Sequence, residues 1–162
     1  YNRFRWNLRH KGIKGKDKEE NINGPLVKPG KYKVQILVDN KYKIEDEILI
    51  LKDPNTVTTE NDFEKAEELQ LKIINKIREA KSIADEIQTS ISNKKFRKSK
   101  YAPLKQKLDM LVTKQGTYMQ PMLIDQMKYL YGMISKADQI LGNDAYKRFD
   151  DLSLELENIK KL

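Results

Sequence analysis

The sequence predicts an α+β fold in which a short antiparallel sheet is followed by an antiparallel bundle of about four helices. The stretch GPLVKPGKYKVQILVDNKYKIEDEILILKDPN, residues 24–55, alternates apolar and polar residues on both sides of a central Asp-Asn pair, as a β-hairpin does. After residue 55 the apolar residues recur every three or four positions, which is the period of an amphipathic helix. Four such apolar stripes, separated by short breaks, predict the bundle.

A first strand is predicted near the start of the chain, where Phe4, Trp6 and Leu8 alternate with polar residues. Residues 9–24 follow as a mobile or irregular loop, because they are rich in lysine, glycine and asparagine and poor in apolar residues. A sheet of two or three strands is marginally stable by itself. We expect helices or further strands to cover it, and the abrupt start at Tyr1 favours a chain that is a piece of a longer protein.

The next two strands form the predicted hairpin. One face of the first of them carries Tyr32, Val34, Ile36 and Val38. Asp39-Asn40 consists of residues that tolerate positive φ and predicts a two-residue turn, after which residues 42–51 return as the partner strand. The alternation changes phase at Glu45-Asp46-Glu47, which predicts a β-bulge. We expect the core of the β part to consist of Trp6, Tyr32, Val34 and Ile36.

A long first helix is predicted over residues 60–92. Thr58 or Thr59 is a suitable N-cap, and the acidic residues that follow oppose the helix dipole. The apolar stripe of this helix comprises Ala66, Leu69, Ile73, Ile77, Ala80, Ala84, Ile87 and Ile91. At 1.5 Å per residue the helix would be roughly 50 Å long, so its stripe needs partner helices.

Three shorter helices are predicted as those partners. Pro103 is placed to start the second helix, which ends before Gly116. The third runs from Leu123 to Leu141 and is stopped by Gly142-Asn143, and Asp144 is the predicted cap of the fourth.

Composition limits the classes of chemistry open to the chain. It has 162 residues, a net charge of +8, no cysteine and one histidine, His10, so disulfides and thiolate chemistry are excluded. His10 lies among basic residues and is predicted to be a loop histidine. The carboxylates form adjacent, solvated pairs, and no metal-ligand or phosphate-binding motif is present, so we predict no catalytic residue, metal or cofactor. No apolar run is long enough for a membrane span.

The sharpest charge cluster is the segment NKKFRKSKY. It combines basic and aromatic side chains, at Lys94, Lys95, Phe96, Arg97, Lys98, Lys100 and Tyr101. Basic groups can neutralise phosphates and aromatic rings can stack on bases, so the cluster is a candidate nucleic-acid contact. A solvated loop between helices is the favoured interpretation, because the cluster is short and has no recognised binding motif.

A second candidate surface lies on the third predicted helix, which is rich in methionine and tyrosine. Tyr129 and Met133 are four residues apart and can lie together outside the main apolar stripe. Methionine-rich surfaces adapt to partners, so this pair is a candidate docking face, although such residues more often fill a core.

The segment NRFRWNL, residues 2–8, and the hairpin sequence resemble the Ig-like module near the C-terminus of bacterial sialidase-like proteins built on BNR- or WD-type β-propellers. The helical part is similar to that family's tail, in which a segment such as Asp53-Pro54 leads to a cap such as Thr58-Thr59 and the chain closes with a stretch such as residues 122–159.

The resemblance implies that residues 1–53 are the C-terminal part of an Ig-like β-sandwich and that residues 54–162 are the helical bundle. It further implies an exported protein, in the periplasm, on the cell surface or secreted, whose upstream β-propeller is the partner of this region and holds any glycan-directed chemistry. We therefore expect a non-catalytic structural or protein-interaction module. The alternatives are a part of a glycoside hydrolase whose active site lies in the propeller, and a basic nucleic-acid-binding module that uses residues 94–101.

Overall fold

The computed structural model of the chain describes residues 3–15, 21–38, 42–92, 98–114, 116 and 119–162. Its elements in chain order are β1 (Gly30–Val38), β2 (Tyr42–Ile50), α1 (Glu60–Ser92), α2 (Lys98–Leu111), α3 (Leu123–Ile134) and α4 (Asn143–Lys161). The predicted α+β fold, a hairpin followed by four helices, is confirmed.

Helix α1 is the longest element and has the predicted bounds. Its N-terminus is closed by reciprocal bonds between Thr59 and Asp62: the Thr59 hydroxyl donates to Asp62 Oδ2 at 2.6 Å and accepts from the Asp62 amide at 3.2 Å. The Thr59 amide also donates to Asp62 Oδ2, at 3.2 Å. These bonds satisfy amides that have no partner inside the helix. The predicted N-cap is therefore Thr59 rather than Thr58.

The four helices form one bundle, because each of them contacts the other three. Side chains with almost no exposed surface fill its centre, and they are Ile73, Ile74 and Ile77 of α1, Leu111 of α2, Leu123 and Met127 of α3, and Leu152, Leu156 and Ile159 of α4. The apolar stripes that the sequence predicted for α1 and α4 are the faces that meet here, so helix packing follows the 3.6-residue period.

The helix ends differ from the prediction where tertiary contacts fix them. Helix α3 stops at Ile134 instead of continuing to Leu141. The Gln70 side chain donates to the Ile134 carbonyl at 3.1 Å, and Gln139 donates to the Met133 carbonyl at 3.0 Å. These side chains donate hydrogen bonds to carbonyls of the last turn, so those carbonyls are satisfied without a further turn of helix.

The starts of α2 and α4 also differ from the prediction. Helix α2 begins at Lys98, and Pro103 lies inside it. Pro103 is the sixth residue of α2, so its missing N–H removes one hydrogen bond inside the helix. Gly142, and not Asp144, is the N-cap of α4; Asp144 lies in the first turn, where its charge favours the helix dipole.

The hairpin has an unbroken register from Gly30 opposite Ile50 to Val38 opposite Tyr42. The predicted bulge at Glu45–Glu47 is wrong, and Asp46 lies directly opposite Val34. The predicted Asp39-Asn40 turn lies outside the described residues.

The predicted first strand is not formed. Leu8 has φ 57°, in the left-handed region, so the chain cannot continue through it as an extended strand. Instead, the Val27 amide donates to the Leu8 carbonyl and the His10 amide to the Pro25 carbonyl, both at 2.9 Å. The period-2 pattern at the start of the chain misled the prediction, because Phe4 is almost fully exposed.

The described parts of the predicted 9–24 loop are irregular, which is one of the two predicted alternatives, and they pack against the bundle. Ile13 and Ile22 exchange two backbone hydrogen bonds, at 2.8 and 2.9 Å, and Ile13 joins the hydrophobic core. The Tyr131 hydroxyl of α3 donates to the Asn23 carbonyl at 2.7 Å. Gly24 allows the close approach, since a Cβ there would lie 2.0 Å from the His10 carbonyl oxygen.

Candidate interaction surfaces

The hairpin projects from the bundle. Within the part of the chain that the structure describes, no residue of β1 or β2 has its Cα within 8 Å of a helix Cα. The predicted β core is consequently wrong for its strand residues Val34 and Ile36, which are both exposed. Among the described residues, no helix or strand has its Cα atoms near Val34 and Ile36 other than the two strands of the hairpin.

One side of the hairpin is aliphatic and open to solvent. The register places Val34, Ile36, Val38 and Ile44 on it, and we call these four residues the aliphatic face. Their exposed fractions lie between 38% and 61%. Contiguous exposed apolar residues of this kind mark interaction sites more often than scattered ones do.

The base of this side is covered by the start of the chain. The rings of Trp6 and Tyr32 meet edge to face, with centroids 5.6 Å apart. The Tyr32 hydroxyl donates to the Lys28 carbonyl at 2.6 Å, and burial raises the pKa of this hydroxyl. The hairpin is therefore anchored at its base, while the aliphatic face lies nearer the tip.

The opposite side of the hairpin carries a charge network. Glu45 accepts hydrogen bonds from Lys43, from Lys33 at 2.8 Å and from Gln35 at 2.7 Å. The bond from Lys33, followed by that from Lys43, lowers the pKa of Glu45. This side therefore combines the charge network with two exposed leucines, Leu37 and Leu49, whereas the aliphatic face has Asp46 as its one described charge.

A groove of about 640 Å³ lies between α3 and α4 and contains the predicted pair Tyr129 and Met133. Both side chains line it together with Ile140, and all three are more than half exposed. Arg148 borders it and donates to Gln126 Oε1 at 2.5 Å. The structure brings the predicted pair together; a partner for it stays a prediction. Ile140 was missed because the sequence placed it inside a longer α3.

Only part of the predicted basic cluster lies among the described residues. Lys94, Lys95, Phe96 and Arg97 lie outside the described residues. Lys98 and Lys100 belong to the first turn of α2, and Tyr101 follows with an exposed side chain. A nucleic-acid contact through this cluster stays a prediction.

His10 is not a free loop histidine. Its Nε2 lies 2.7 Å from Glu67 Oε1, and the same oxygen accepts from the Lys28 amide at 3.0 Å. One turn earlier on α1, Glu64 accepts from the Lys28 ammonium at 2.6 Å, which raises the pKa of that lysine. The sequence feature that points to this junction is the i, i+3 spacing of Glu64 and Glu67, which puts both carboxylates on one side of α1.

This junction borders a hollow of about 390 Å³ between the hairpin base, α1 and the loop after α3. Its polar groups are used in structural bonds: Glu67 holds two segments, and Arg9 donates to the Gly24 carbonyl at 2.9 Å. The hydrogen bonds of the described residues bring no hydroxyl to the His10 ring. The arrangement therefore fits an anchor for the hairpin base better than an acid–base pair aimed at a substrate.

The described residues contain no group of three or more histidine, aspartate or glutamate side chains arranged to hold a metal ion. None of their helices combines the length and apolar character that crossing a membrane requires.

Comparison with known proteins does not assign the chain to a family. No protein-family model matches it, and no curated protein or solved structure matches it either.

Proposed function

We propose that the chain is a non-catalytic structural and protein-interaction module in which the helical bundle carries the hairpin as its docking element. The observation that carries the proposal is the aliphatic face, which is open to solvent on a hairpin none of whose strand Cα atoms lies within 8 Å of a described helix Cα. Full burial of one aliphatic side chain stabilises a protein by roughly 1.5–3 kcal/mol. A hairpin that served the stability of this bundle would place these side chains against it.

The bundle has its own core and does not need the hairpin to complete it. All four helices meet around side chains with almost no exposed surface. The hairpin is joined to this base through Trp6, Tyr32, Lys28 and the Glu67 junction. A rigid base with a projecting, anchored hairpin is a suitable form for presenting a surface to a partner.

The proposal extends to the kind of protein that contains the module, an exported sialidase-like β-propeller protein. The sequence resemblance supports this part. In an Ig-like sandwich a second sheet lies about 10 Å above the first, and a sheet in that position would cover the aliphatic face. Under the rival proposal the parent protein is a glycoside hydrolase, with the active site in its propeller.

Two measurements test the proposal. The first replaces the four residues of the aliphatic face by threonine, which keeps the β-branched backbone preference. We expect the urea unfolding free energy of the bundle, followed by circular dichroism, to change by less than about 0.5 kcal/mol per site, as at ordinary surface positions. Binding of an apolar dye such as ANS is expected to fall. A loss of several kcal/mol would show that the hairpin belongs to the folded core and would refute a docking role.

The second measurement is an assay of this chain for hydrolysis of aryl glycosides. We expect no rate above that of the buffer. A rate that rises in proportion to protein concentration and persists through repurification would contradict the non-catalytic assignment.

A further inference from the structure

One acidic side chain lies on the same side of the hairpin as the aliphatic face. Asp46 is directly opposite Val34 in the register, and its carboxylate accepts only the amide of its neighbour Glu47, at 2.8 Å, among the hydrogen bonds of the described residues. Asp46 is exposed. In the free chain water solvates this carboxylate, so its position among aliphatic side chains has little cost.

Resting on the proposed function, we infer that the partner is a protein surface that presents aliphatic side chains around one lysine or arginine, which pairs with Asp46. A partner that covers the aliphatic face also removes water from Asp46. A buried carboxylate is strongly disfavoured unless a cation and further hydrogen bonds replace that water. Asp46, the one charge on this side among the described hairpin residues, therefore specifies the charge that the partner must bring.

The same carboxylate excludes a second copy of the chain from this face. The register places Gly30, Tyr32, Val34, Ile36, Val38, Tyr42, Ile44, Ile48 and Ile50 on this side of the hairpin beside Asp46, and none of these residues is basic. Two aliphatic faces packed on each other would bury two carboxylates without supplying a cation, whatever their relative orientation. A charge among apolar strand residues is a known protection against self-association.

Pairing of like hairpin edges is opposed in the same way. The β2 edge carries Glu45, Asp46 and Glu47 in succession, whereas the acid-free β1 carries Lys31 and Lys33. Two β2 edges would bring these acids together, although β2 also carries Lys43, and two β1 edges would bring lysines together. Charge therefore opposes the pairing of like edges and the packing of two aliphatic faces, and the exclusion of a second copy applies to these two arrangements.

The open part of the face is small. From Val34 to Val38 it extends four residues, or roughly 13 Å at 3.3 Å per residue, across two strands about 5 Å apart. Stable complexes bury about 800 Å² on each partner, which is far more than this face offers. We therefore expect weak binding in solution, which suffices when the partner is held nearby at an effective concentration in the millimolar range.

The test uses the full chain and two synthetic probes. Each probe is a disulfide-cyclised β-hairpin peptide with valine and isoleucine on one face, and the probes differ in one central residue of that face, arginine or glutamate. Binding is followed by NMR shifts of the valine and isoleucine methyl groups. We expect the arginine probe to bind at least about 10-fold more tightly than the glutamate probe.

Variants identify the carboxylate responsible for that preference. Asp46→Lys is expected to reverse the preference, so that the glutamate probe binds more tightly. The matched control is Glu47→Lys, because Glu47 is the adjacent residue on the opposite side of the hairpin, and it should leave the preference unchanged. Equal binding of both probes, binding of neither, or no reversal in Asp46→Lys would overturn the inference.

Sedimentation analysis tests the exclusion of a second copy. We expect the natural chain to stay monomeric up to high concentration, and Asp46→Val to associate while the control Glu47→Val does not. Association of the natural chain, or a monomeric Asp46→Val, would refute the exclusion. If both probes bind without a charge preference, this inference is refuted but the docking role is not. A loss of bundle stability in the threonine variant would refute the docking role itself.

Discussion

Replacing Glu67 by alanine tests whether one carboxylate anchors the hairpin base to the bundle. Glu67 Oε1 accepts from His10 Nε2 at 2.7 Å and from the Lys28 amide at 3.0 Å, and its side chain is mostly buried. A hydrogen bond to a charged group contributes about 1.5–3 kcal/mol, and leaving an amide without a partner costs about 1–3 kcal/mol. Because the Lys28 amide is only partly buried, water replaces some of this bond. We expect a loss of about 2 kcal/mol.

The assay is urea unfolding followed at 222 nm, with hydrogen exchange of the Lys28 amide as a local measure. The control is Glu64→Ala, on the same side of α1, which removes an exposed ion pair with Lys28 and should cost clearly less than Glu67→Ala. His10→Ala combined with Glu67→Ala should cost less than the sum of the single changes, since the two residues share a bond. Additive costs, or a Glu67→Ala loss no larger than that of Glu64→Ala, would refute the anchoring role.

Three further predictions concern the bundle and the start of the chain. Ile73→Ala, at a site with no exposed surface, should lower the unfolding free energy by about 2–5 kcal/mol in urea titrations, and a loss below 1 kcal/mol would contradict its central position. Gly24→Ala should lower the thermal midpoint clearly, because its Cβ would meet the His10 carbonyl, whereas Gly116→Ala, with open space around it, should not. Hydrogen bonds from Lys160, and then from Lys76, lower the pKa of Glu79 below its ordinary value near 4.5. The stability that ionised Glu79 contributes is therefore complete above that pH and is lost as pH falls through the lowered pKa of the folded state. Glu79→Gln should slightly reduce the loss of stability at acid pH, and an unchanged pH dependence would show that the pair contributes nothing.

The parts of the fold that local sequence could predict are those that local chemistry fixes. Helix α1 follows its apolar period from a threonine cap to residue 92, and both signals lie within the segment itself. The end of α3 could not be predicted in this way. It depends on Gln70, which lies on another helix and meets the Ile134 carbonyl only after the bundle has formed.

At the start of the chain, the sequence predicted a strand that the structure does not form. Phe4, Trp6 and Leu8 have the period of a strand, but one left-handed residue, Leu8, breaks it. Leucine has no preference for that conformation, so no local signal announced the break. The His10–Glu67 contact was missed for a related reason, because it joins residues 57 positions apart.

The candidate site could be predicted as a pattern but not as a surface. The alternation in β1 correctly predicted that Tyr32, Val34, Ile36 and Val38 share one face, yet alternation alone does not say whether a sheet face is covered. Asp46 was the informative residue. The segment Glu45-Asp46-Glu47 predicted a bulge because the apolar alternation changes phase there, whereas the structure keeps Asp46 in register opposite Val34 with its side chain exposed.

The position of Asp46 also explains why a weak surface can be a specific one. A carboxylate on an aliphatic face lowers the affinity for every partner, because it must be desolvated in each complex. The penalty is largest for surfaces without a cation, including a second copy of this face, and smallest for a surface that supplies one. Specificity is the difference between those two penalties. A face of this size cannot gain discrimination from contact area, so a single charge placed where water must leave is the effective means available to it.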